Sequence, residues 1–450
     1  MDKGEVIKKL SEFIKIKSVS TDKSYFGQIK KAVRFLTSWL KELGFKIEVI
    51  EKNQAPPLIV GYPPFFDDEK TTVGIYGHYD VQPADPLSQW QAPPFALTLK
   101  NGKFFGRGIA DNKGHIVQNL TAVSLLMKEK KLKSNIVFIF EGEEETGSLH
   151  FEDMVSQVKD ILSKVAVFYL TDVGMHRKNI PQIFYGLRGI VYFQLEVKVG
   201  ERDLHSGVYG NRVYNPINVI ASLIAKIKSV KTGKINIPGF YSAFRERRGY
   251  KNWRKPSKEE LEILKKTLKT EKEEKEEAGV FGLTEIENFG GLSSKIFPSF
   301  DCHGILSGYT QEGQKTIIPS SAMVKFSFRL VEYQDPDEIQ RVVFDFVKKN
   351  LPKEVKWELK CLSKSAPFYT DVNNEFVKKT AGVLKEVFGQ KPLFNRSGGS
   401  IPAAEILFRL FKKPIILTGF TLPDDNIHAP NENFDEEMFW KGIEVLRRVY

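Results

Sequence analysis

The 450-residue sequence contains very few cysteines and no long apolar run. With only Cys302 and Cys361 available, a disulfide-rich scaffold is excluded, and we expect a reducing compartment, the cytoplasm. No stretch approaches the roughly 18 consecutive apolar residues of a membrane span. The charged N-terminal stretch MDKGEVIKKLSEF also lacks the apolar region of a secretory signal. We therefore expect neither a membrane anchor nor secretion.

The composition is that of an ordinary globular protein, with 41% hydrophobic and 27% charged residues. Its length predicts more than one domain. The formal net charge of +11 is compatible with a nucleic-acid-binding protein, which would interleave basic and aromatic residues on one face. Only residues 244–253 (FRERRGYKNW) have that character, and most of the positive excess lies within 221–270. Nucleic acid is therefore not the expected partner.

Hydrophobic periodicity predicts that strands and helices alternate at both ends of the chain, as in an α/β sheet with parallel strands. The predicted helices in these regions are 4–17, 27–43, 113–131, 150–162, 374–388, 401–411 and 435–449. The predicted strands are 46–50, 57–61, 72–77, 135–140, 165–170 and 414–418.

A different pattern occupies the middle of the chain. A strand–helix–strand–strand–helix–strand order predicts a ferredoxin-like α+β domain, formed by 190–199, 215–228, 303–310, 322–330, 335–349 and 354–361. Within it lies a charged insertion, 242–290, in which Lys258–Glu277 is expected to form one solvated helix. We predict a discontinuous α/β/α catalytic domain, residues 1–186 and 366–450, into which the α+β domain, residues 187–365, is inserted.

Three of the predicted strands are each followed by potential metal ligands. His78 and Asp80 end the first, Glu143-Glu144-Glu145 follow the second, and Asp172 follows the third. In open α/β sheets, sites form beyond the carboxyl ends of the strands. These side chains are therefore expected to converge on one site.

Several of the candidate ligands also have an ordinary explanation. Asp111 precedes a helix and could be an N-cap, the three glutamates could be an acidic helix start, and His428 could be a solvated loop residue. As a set, however, imidazoles and carboxylates without cysteine suit Zn²⁺, Mn²⁺ or Co²⁺. Adjacent carboxylates repel one another unless cations compensate, and one glutamate can then serve as a general base.

The chain resembles the co-catalytic metallopeptidase family of carnosinases, cytosolic nonspecific dipeptidases, carboxypeptidase G-type enzymes and succinyl-diaminopimelate desuccinylases. The resemblance runs from the first helices to the last and rests on seven motifs in order: GHYDVQPAD, GRGIADNKG, EGEEETGS, DLHSGVYGNRVYNP, TIIPSSAMVKFSFRLV, RSGGSIP and HAPNENF. The first and fourth motifs are most similar to the dipeptidase branch.

The resemblance implies two divalent metal ions, with zinc favoured and manganese or cobalt as alternatives, and it assigns their ligands: His78 and Asp172 for one ion, Glu145 and His428 for the other, and Asp111 as the bridge. It also implies that Asp80 orients His78, that Glu144 is the general base and later proton donor, and that the peptide bond after Asp111 is cis.

The resemblance further implies that the inserted domain is a lid through which the protein forms homodimers. His205 would reach the active site of the neighbouring subunit and stabilise the oxyanion. Arg329 would pair with the substrate's terminal carboxylate, for which a guanidinium fork is well suited. Thr316, Gly399 and Ser400 fall at substrate-contact positions of the dipeptidase branch.

The function expected from these residues is metal-dependent hydrolysis of dipeptides or short peptides. The alternative within the same chemistry is an N-acyl-amino-acid amidohydrolase or desuccinylase, which differs in recognising an acyl group instead of a free ammonium. A non-catalytic relative is disfavoured because all five metal positions and Glu144 are present.

Overall fold

The computed structural model describes residues 2–241, 256–399 and 401–450. It divides into two compact units: the first comprises Met1–Tyr185, Thr370–Asn395 and Ile401–Tyr450, and the second comprises Gly186–Tyr369 with Arg396–Ser400. The basic stretch 244–253 and the predicted substrate contact Ser400 lie outside the described residues. The catalytic and lid roles assigned to the two predicted domains stay predictions.

The structure contains the following helices and strands, numbered in chain order. The helices are α1 Lys3–Ile14, α2 Phe26–Glu42, α3 Lys113–Lys128, α4 Phe151–Gln157, α5 Lys159–Leu162, α6 Ser206–Tyr209, α7 Pro216–Ile227, α8 Lys258–Lys265, α9 Glu271–Ala278, α10 Ser293–Ile296, α11 Pro336–Asn350, α12 Glu375–Phe388, α13 Pro402–Phe411 and α14 Glu436–Val449. The strands are β1 Lys46–Ile50, β2 Leu58–Tyr62, β3 Thr72–His78, β4 Thr98–Lys100, β5 Lys103–Phe105, β6 Asn135–Glu141, β7 Val167–Leu170, β8 Gln182–Leu187, β9 Gly189–Lys198, β10 Leu204–His205, β11 Ser299–Leu306, β12 Ile317–Ile318, β13 Ser321–Leu330, β14 Lys356–Ser365, β15 Phe368–Tyr369, β16 Leu393–Ser397, β17 Ile415–Leu417 and β18 Asn433–Asp435.

The first unit is built on a mixed sheet in which β1, β2, β6, β3, β7, β17 and β8 are neighbours in that order. Strands β3, β6, β7 and β17 are mutually parallel. Every residue of β3 and β6 is buried, which is why both read in the sequence as continuous apolar runs.

Helices cover the sheet of the first unit with their apolar faces. Helix α1 begins at a capping box formed by Asp2 and Glu5, and it buries side chains at helical spacing. Helix α14 packs against α3, so that two elements more than 300 residues apart in sequence share one core.

The second unit contains a four-stranded antiparallel sheet in the order β11-β13-β9-β14. Helices α7 and α11 pack on one face, where alternate residues of β9 are buried, among them Val191, Phe193 and Leu195. This strand order with two helices is the ferredoxin-like α+β arrangement. The predicted fold class, an α/β unit with an inserted α+β unit, is confirmed.

Two predicted helices were wrong in their continuity. The segment Lys258–Glu277 is divided into α8 and α9 because Thr270 caps α9 in a capping box with Glu273. It is also less solvated than expected, since Glu260 and Leu264 of α8 are buried. The predicted helix 150–162 is interrupted between α4 and α5. Among the described residues, no helix is both long and apolar enough to cross a membrane.

Candidate metal centre

Three neighbouring parallel strands of the first unit bring the candidate ligands to one edge of the sheet. His78 ends β3 and lies opposite Glu141, the last residue of β6. A short 3₁₀ turn, Glu144–Thr146, follows β6, and Asp172 follows β7. Because the strands are parallel, their carboxyl ends share one side of the unit.

The candidate ligands form two groups that share Asp111. Within each group the ligand atoms lie within 4.8 Å of one another, and the groups are His78, Asp111 and Asp172, and Asp111, Glu145 and His428. Oδ1 of Asp111 is 2.8 Å from Nε2 of His78, whereas Oδ2 is 2.9 Å from Nε2 of His428. The two oxygens of Asp111 therefore face different groups.

The chemistry of these donors fits two divalent ions with a shared carboxylate. Each group combines one imidazole with two carboxylates, a set that suits Zn²⁺, Mn²⁺ or Co²⁺. Oε1 of Glu145 is buried and has no hydrogen-bond partner among the described residues. A buried carboxylate oxygen without a donor is costly, and a cation would satisfy it.

Without a cation, protons compensate the negative charge of this cluster. Hydrogen bonds with Asp111 and Glu145 raise the pKa of His428 to about 10. Burial lowers the pKa of His78, but the carboxylates around it, led by Asp172, raise it well above its usual value. Metal binding requires neutral imidazoles, so divalent ions would take the place of these protons.

Asp80 connects His78 to the glutamates that follow β6. Its carboxylate is fully buried and lies 3.3 Å from Nδ1 of His78, which leaves Nε2 directed at Asp111. It also accepts hydrogen bonds from the backbone N–H groups of Glu144 and Glu145 and from the hydroxyl of Ser20. One carboxylate thus fixes the orientation of an imidazole and the position of the glutamate turn.

Glu144 and Glu143 differ in their surroundings although they are adjacent. Burial, opposed by His78 and reinforced by the charges of Asp172 and Asp111, raises the pKa of Glu144 well above its usual value. Bound divalent cations would act in the opposite direction. Glu143 instead accepts hydrogen bonds from the backbone N–H of His150 and lies 3.0 Å from its Nδ1. Glu143 is therefore engaged away from the ligand groups.

A buried ion pair between Arg107 and Glu432 lies next to Asp111 and was not predicted from the sequence. The Glu432 carboxylate accepts hydrogen bonds from the backbone N–H groups of Gly108, Ala110 and Asp111, and from Nη1 of Arg107 at 2.7 Å. Both side chains of the ion pair are about 1% exposed. Because Glu432 belongs to the same loop as His428, it holds the two ligand loops together. Its only sequence signal is its place in the HAPNENF motif.

The peptide bond between Asp111 and Asn112 is cis, as the resemblance implied. Nδ2 of Asn112 donates to Oδ1 of Asp172 at 2.8 Å and to the backbone oxygen of Thr171. Asn112 therefore links the shared ligand to a ligand of the first group.

The remaining predicted residues belong to the second unit. His205 pairs with Ile317 across β10 and β12, next to Thr316, whose backbone oxygen accepts a hydrogen bond from Ser206. Arg329 lies on β13, opposite Ser299. Gly399 follows β16, and its N–H donates to the Ser397 hydroxyl at 3.1 Å, while its oxygen accepts from the N–H of Arg188.

Known proteins similar to this chain cover nearly all of it. A β-Ala-His dipeptidase from Mus musculus is 30% identical over 474 residues, which cover 100% of this chain and 93% of the mouse protein. A Cys-Gly metallodipeptidase from Schizosaccharomyces pombe is 29% identical over 473 residues, which cover 99% of this chain and 94% of that protein.

Solved structures agree with this relationship. The crystal structure of an M20 family metallo-carboxypeptidase from Sulfolobus solfataricus has a TM-score of 0.86 and 30% identity, and it covers 100% of this chain and 98% of its own. The family profile described as Peptidase family M20/M25/M40 matches residues 74–450. With the ligand groups at the strand ends, these matches show that the chain belongs to peptidase family M20/M25/M40.

Proposed function

We propose that this protein is a metal-dependent dipeptidase that hydrolyses the peptide bond of dipeptides and other short peptides. The observation that carries this proposal is the pair of candidate ligand groups that share Asp111, together with Glu144, which directly precedes Glu145 and whose pKa is raised by burial. Dipeptidases named among the relatives match the whole chain, which supports this substrate class over N-acyl amino acids.

In the proposed mechanism His78 and Asp172 would hold one ion and Glu145 and His428 the other, and Asp111, which belongs to both groups, would be shared. When bound, divalent ions supply Lewis-acid chemistry, which lowers the pKa of water and polarises a carbonyl oxygen. Glu144 accepts a proton from the attacking water and returns it to the leaving amine. Asp80 keeps His78 in its ligating orientation through Nδ1.

Residues of the second unit carry the remaining proposed roles. His205 stabilises the developing oxyanion, and Arg329 binds the terminal carboxylate of the substrate with its guanidinium fork. Thr316, Gly399 and Ser400 contribute substrate contacts. These contacts orient the dipeptide for attack on its peptide bond.

We also propose that the protein is a homodimer through its second unit and that it acts in the cytoplasm. Strand β11 is an edge of the four-stranded sheet, and Ile305 and Leu306 on it are 54% and 70% exposed. An open edge with apolar side chains is a template for pairing with another chain. The free thiols of Cys302 and Cys361 suit a reducing compartment.

The substrate class is tested by chromatography of metal-reconstituted protein with free dipeptides, tripeptides, N-acyl amino acids and N-blocked dipeptides. We expect free dipeptides, including β-Ala-His and Cys-Gly, to be hydrolysed fastest. Preference for N-acyl amino acids would favour the amidohydrolase alternative. Preference for N-blocked dipeptides would favour a carboxypeptidase, the activity named for the Sulfolobus structure.

The catalytic role is tested with Glu144→Gln, which should keep its metal content but lose about 100- to 10,000-fold in kcat. The matched control is Glu143→Gln, which changes the adjacent carboxylate bonded to His150 and should retain most activity. Retained turnover in Glu144→Gln would exclude the assigned role.

The dimer is tested by mixing His205→Ala and Glu144→Gln protomers, each inactive alone. If His205 acts across a subunit boundary, mixed dimers contain one intact site and activity returns. An absence of recovery, with subunit exchange demonstrated, would contradict the proposal.

A further inference from the structure

The described part of the charged insertion, residues 256–290, contributes two buried polar groups to the second unit, although most of its side chains are exposed. Glu260 on α8 is 7% exposed, and Thr267, two residues beyond α8, is 4% exposed. On the same helix Glu262 is exposed and pairs with Lys265 at 2.7 Å. Burial of a carboxylate is costly unless it is paired, so Glu260 requires an explanation.

Glu260 pairs with Arg396, the residue that opens the turn Ser397–Gly399. The Arg396 guanidinium donates through Nη2 to Glu260 and, at 3.1 Å, to Glu332. All three side chains are less than a tenth exposed. Arg396 is therefore held between a carboxylate of the insertion and one that follows β13.

A second connection runs from Thr267 to the same turn. Nζ of Lys295 on α10 donates to the Thr267 hydroxyl at 2.7 Å. The backbone oxygen of Phe297, directly after α10, accepts from Nη1 of Arg188. Arg188 in turn donates from Nε to the oxygen of Gly398 at 3.0 Å. Both connections thus end on the turn.

The turn itself lies near the proposed carboxylate-binding arginine. The backbone N–H of Arg188 donates to the oxygen of Gly399. Burial and the positive charge of Arg329 lower the pKa of Arg188 to about 10, so the two guanidinium groups lie within electrostatic reach. A shift of the turn would therefore change the surroundings of Arg329 as well.

We propose that residues 256–267 of the charged insertion hold the turn Ser397–Gly399 in place, a role that we call the brace. Glu260, acting through Arg396, is then a positioning residue for substrate binding. The effect on substrate binding rests on the proposed function, because it requires that Gly399 contacts the substrate. The fixing of the turn by Glu260 does not depend on that function.

The test compares Glu260→Gln with Glu262→Gln, which makes the same substitution at an exposed position of the same helix. Both are examined by dipeptide kinetics and by hydrogen exchange of the backbone N–H groups of Arg188 and Gly399. We expect Glu260→Gln to raise KM about tenfold with little change in kcat, and to accelerate exchange at both groups. Glu262→Gln should match the wild type in both measurements.

Unchanged exchange in Glu260→Gln would overturn the brace, whatever happens to KM. If the wild type hydrolyses no dipeptide, the proposed function fails, while the exchange measurement still decides the brace. Should Glu260→Gln fail to fold, Thr267→Val keeps the side-chain shape and removes the acceptor of Lys295. Faster exchange at Arg188 is then expected, and wild-type exchange would count against the proposal.

Discussion

Replacement of Glu432 by glutamine tests whether the two ligand loops depend on one buried carboxylate. Its two oxygens accept four hydrogen bonds, two each, from three backbone N–H groups and from Arg107. A glutamine keeps one acceptor oxygen and directs its amide N–H₂ at two donors. Two hydrogen bonds are therefore lost, and the Arg107 guanidinium loses its buried counter-charge.

The magnitude follows from these contacts. Two hydrogen bonds to a charged group contribute about 3–6 kcal/mol together. Independently, removing one partner of a buried ion pair costs about 3–5 kcal/mol. We therefore expect Glu432→Gln to lower the free energy of unfolding by a few kcal/mol. Because Glu432 supports Asp111 and lies on the loop of His428, we also expect metal affinity to fall about 10- to 100-fold.

Calorimetry of the metal-free protein measures the first effect, and competition with a chelator of known affinity measures the second. Asp424→Asn is the matched control, because Asp424 is on the same loop and forms an exposed ion pair with Lys103 at 3.0 Å. Such a pair contributes at most about 1 kcal/mol. If Glu432→Gln had the same stability and metal affinity as Asp424→Asn, the supporting role of Glu432 would be excluded.

Three further predictions concern binding, pH and metal. Arg329→Lys should raise KM for dipeptides about tenfold with kcat retained, since lysine lacks the planar fork, whereas Arg341→Lys on the exposed face of α11 should not change KM. Burial raises the pKa of Glu141 to about 8, so the folded metal-free protein holds a proton that the unfolded chain releases above about pH 4.3. The free energy of unfolding should therefore fall as pH rises from about 4.3 to 8. In Glu141→Gln the free energy of unfolding should depend less steeply on pH. Equal slopes for the wild type and Glu141→Gln would contradict the raised pKa of Glu141. Excess chelator should abolish hydrolysis and lower the unfolding temperature, because ions bound only by the folded state stabilise it, and activity that survives complete metal removal would exclude the mechanism.

The fold could be predicted where a buried element is also a continuous apolar run in the sequence. Strands β3 and β6 are buried along their whole length, so their apolar runs identified them. The continuity of Lys258–Glu277 could not be predicted, because charge and helix propensity are uniform along it. The interruption depends on the cap at Thr270, and the burial of Glu260 depends on Arg396, 136 residues away.

The candidate site divides in the same way. His78 ends β3 and Asp172 lies two residues after β7, and because these strands are parallel neighbours, topology alone brings both side chains to one edge. Glu432 could not be recognised, because its partners lie between 321 and 325 residues away and only one of them, Asp111, is a candidate metal ligand, which Glu432 contacts through its backbone N–H. Local sequence patterns identify candidate ligands at strand ends, whereas contacts between distant loops that support those ligands can be recognised only in the structure.

The place of β17 in the first unit has a consequence for synthesis on the ribosome. The strands of the four-stranded sheet, β9 to β14, are contiguous in the chain and can pair as soon as they emerge. Strand β17, by contrast, lies between β7 and β8, and residues 415–417 are translated long after both. Until then the nascent chain carries an unfilled gap beside β7, and His428 has not yet been made. The second ligand group, which needs His428, is thus completed last, and a stalled or truncated product that lacks β17 would expose strand edges to chaperones with that group incomplete.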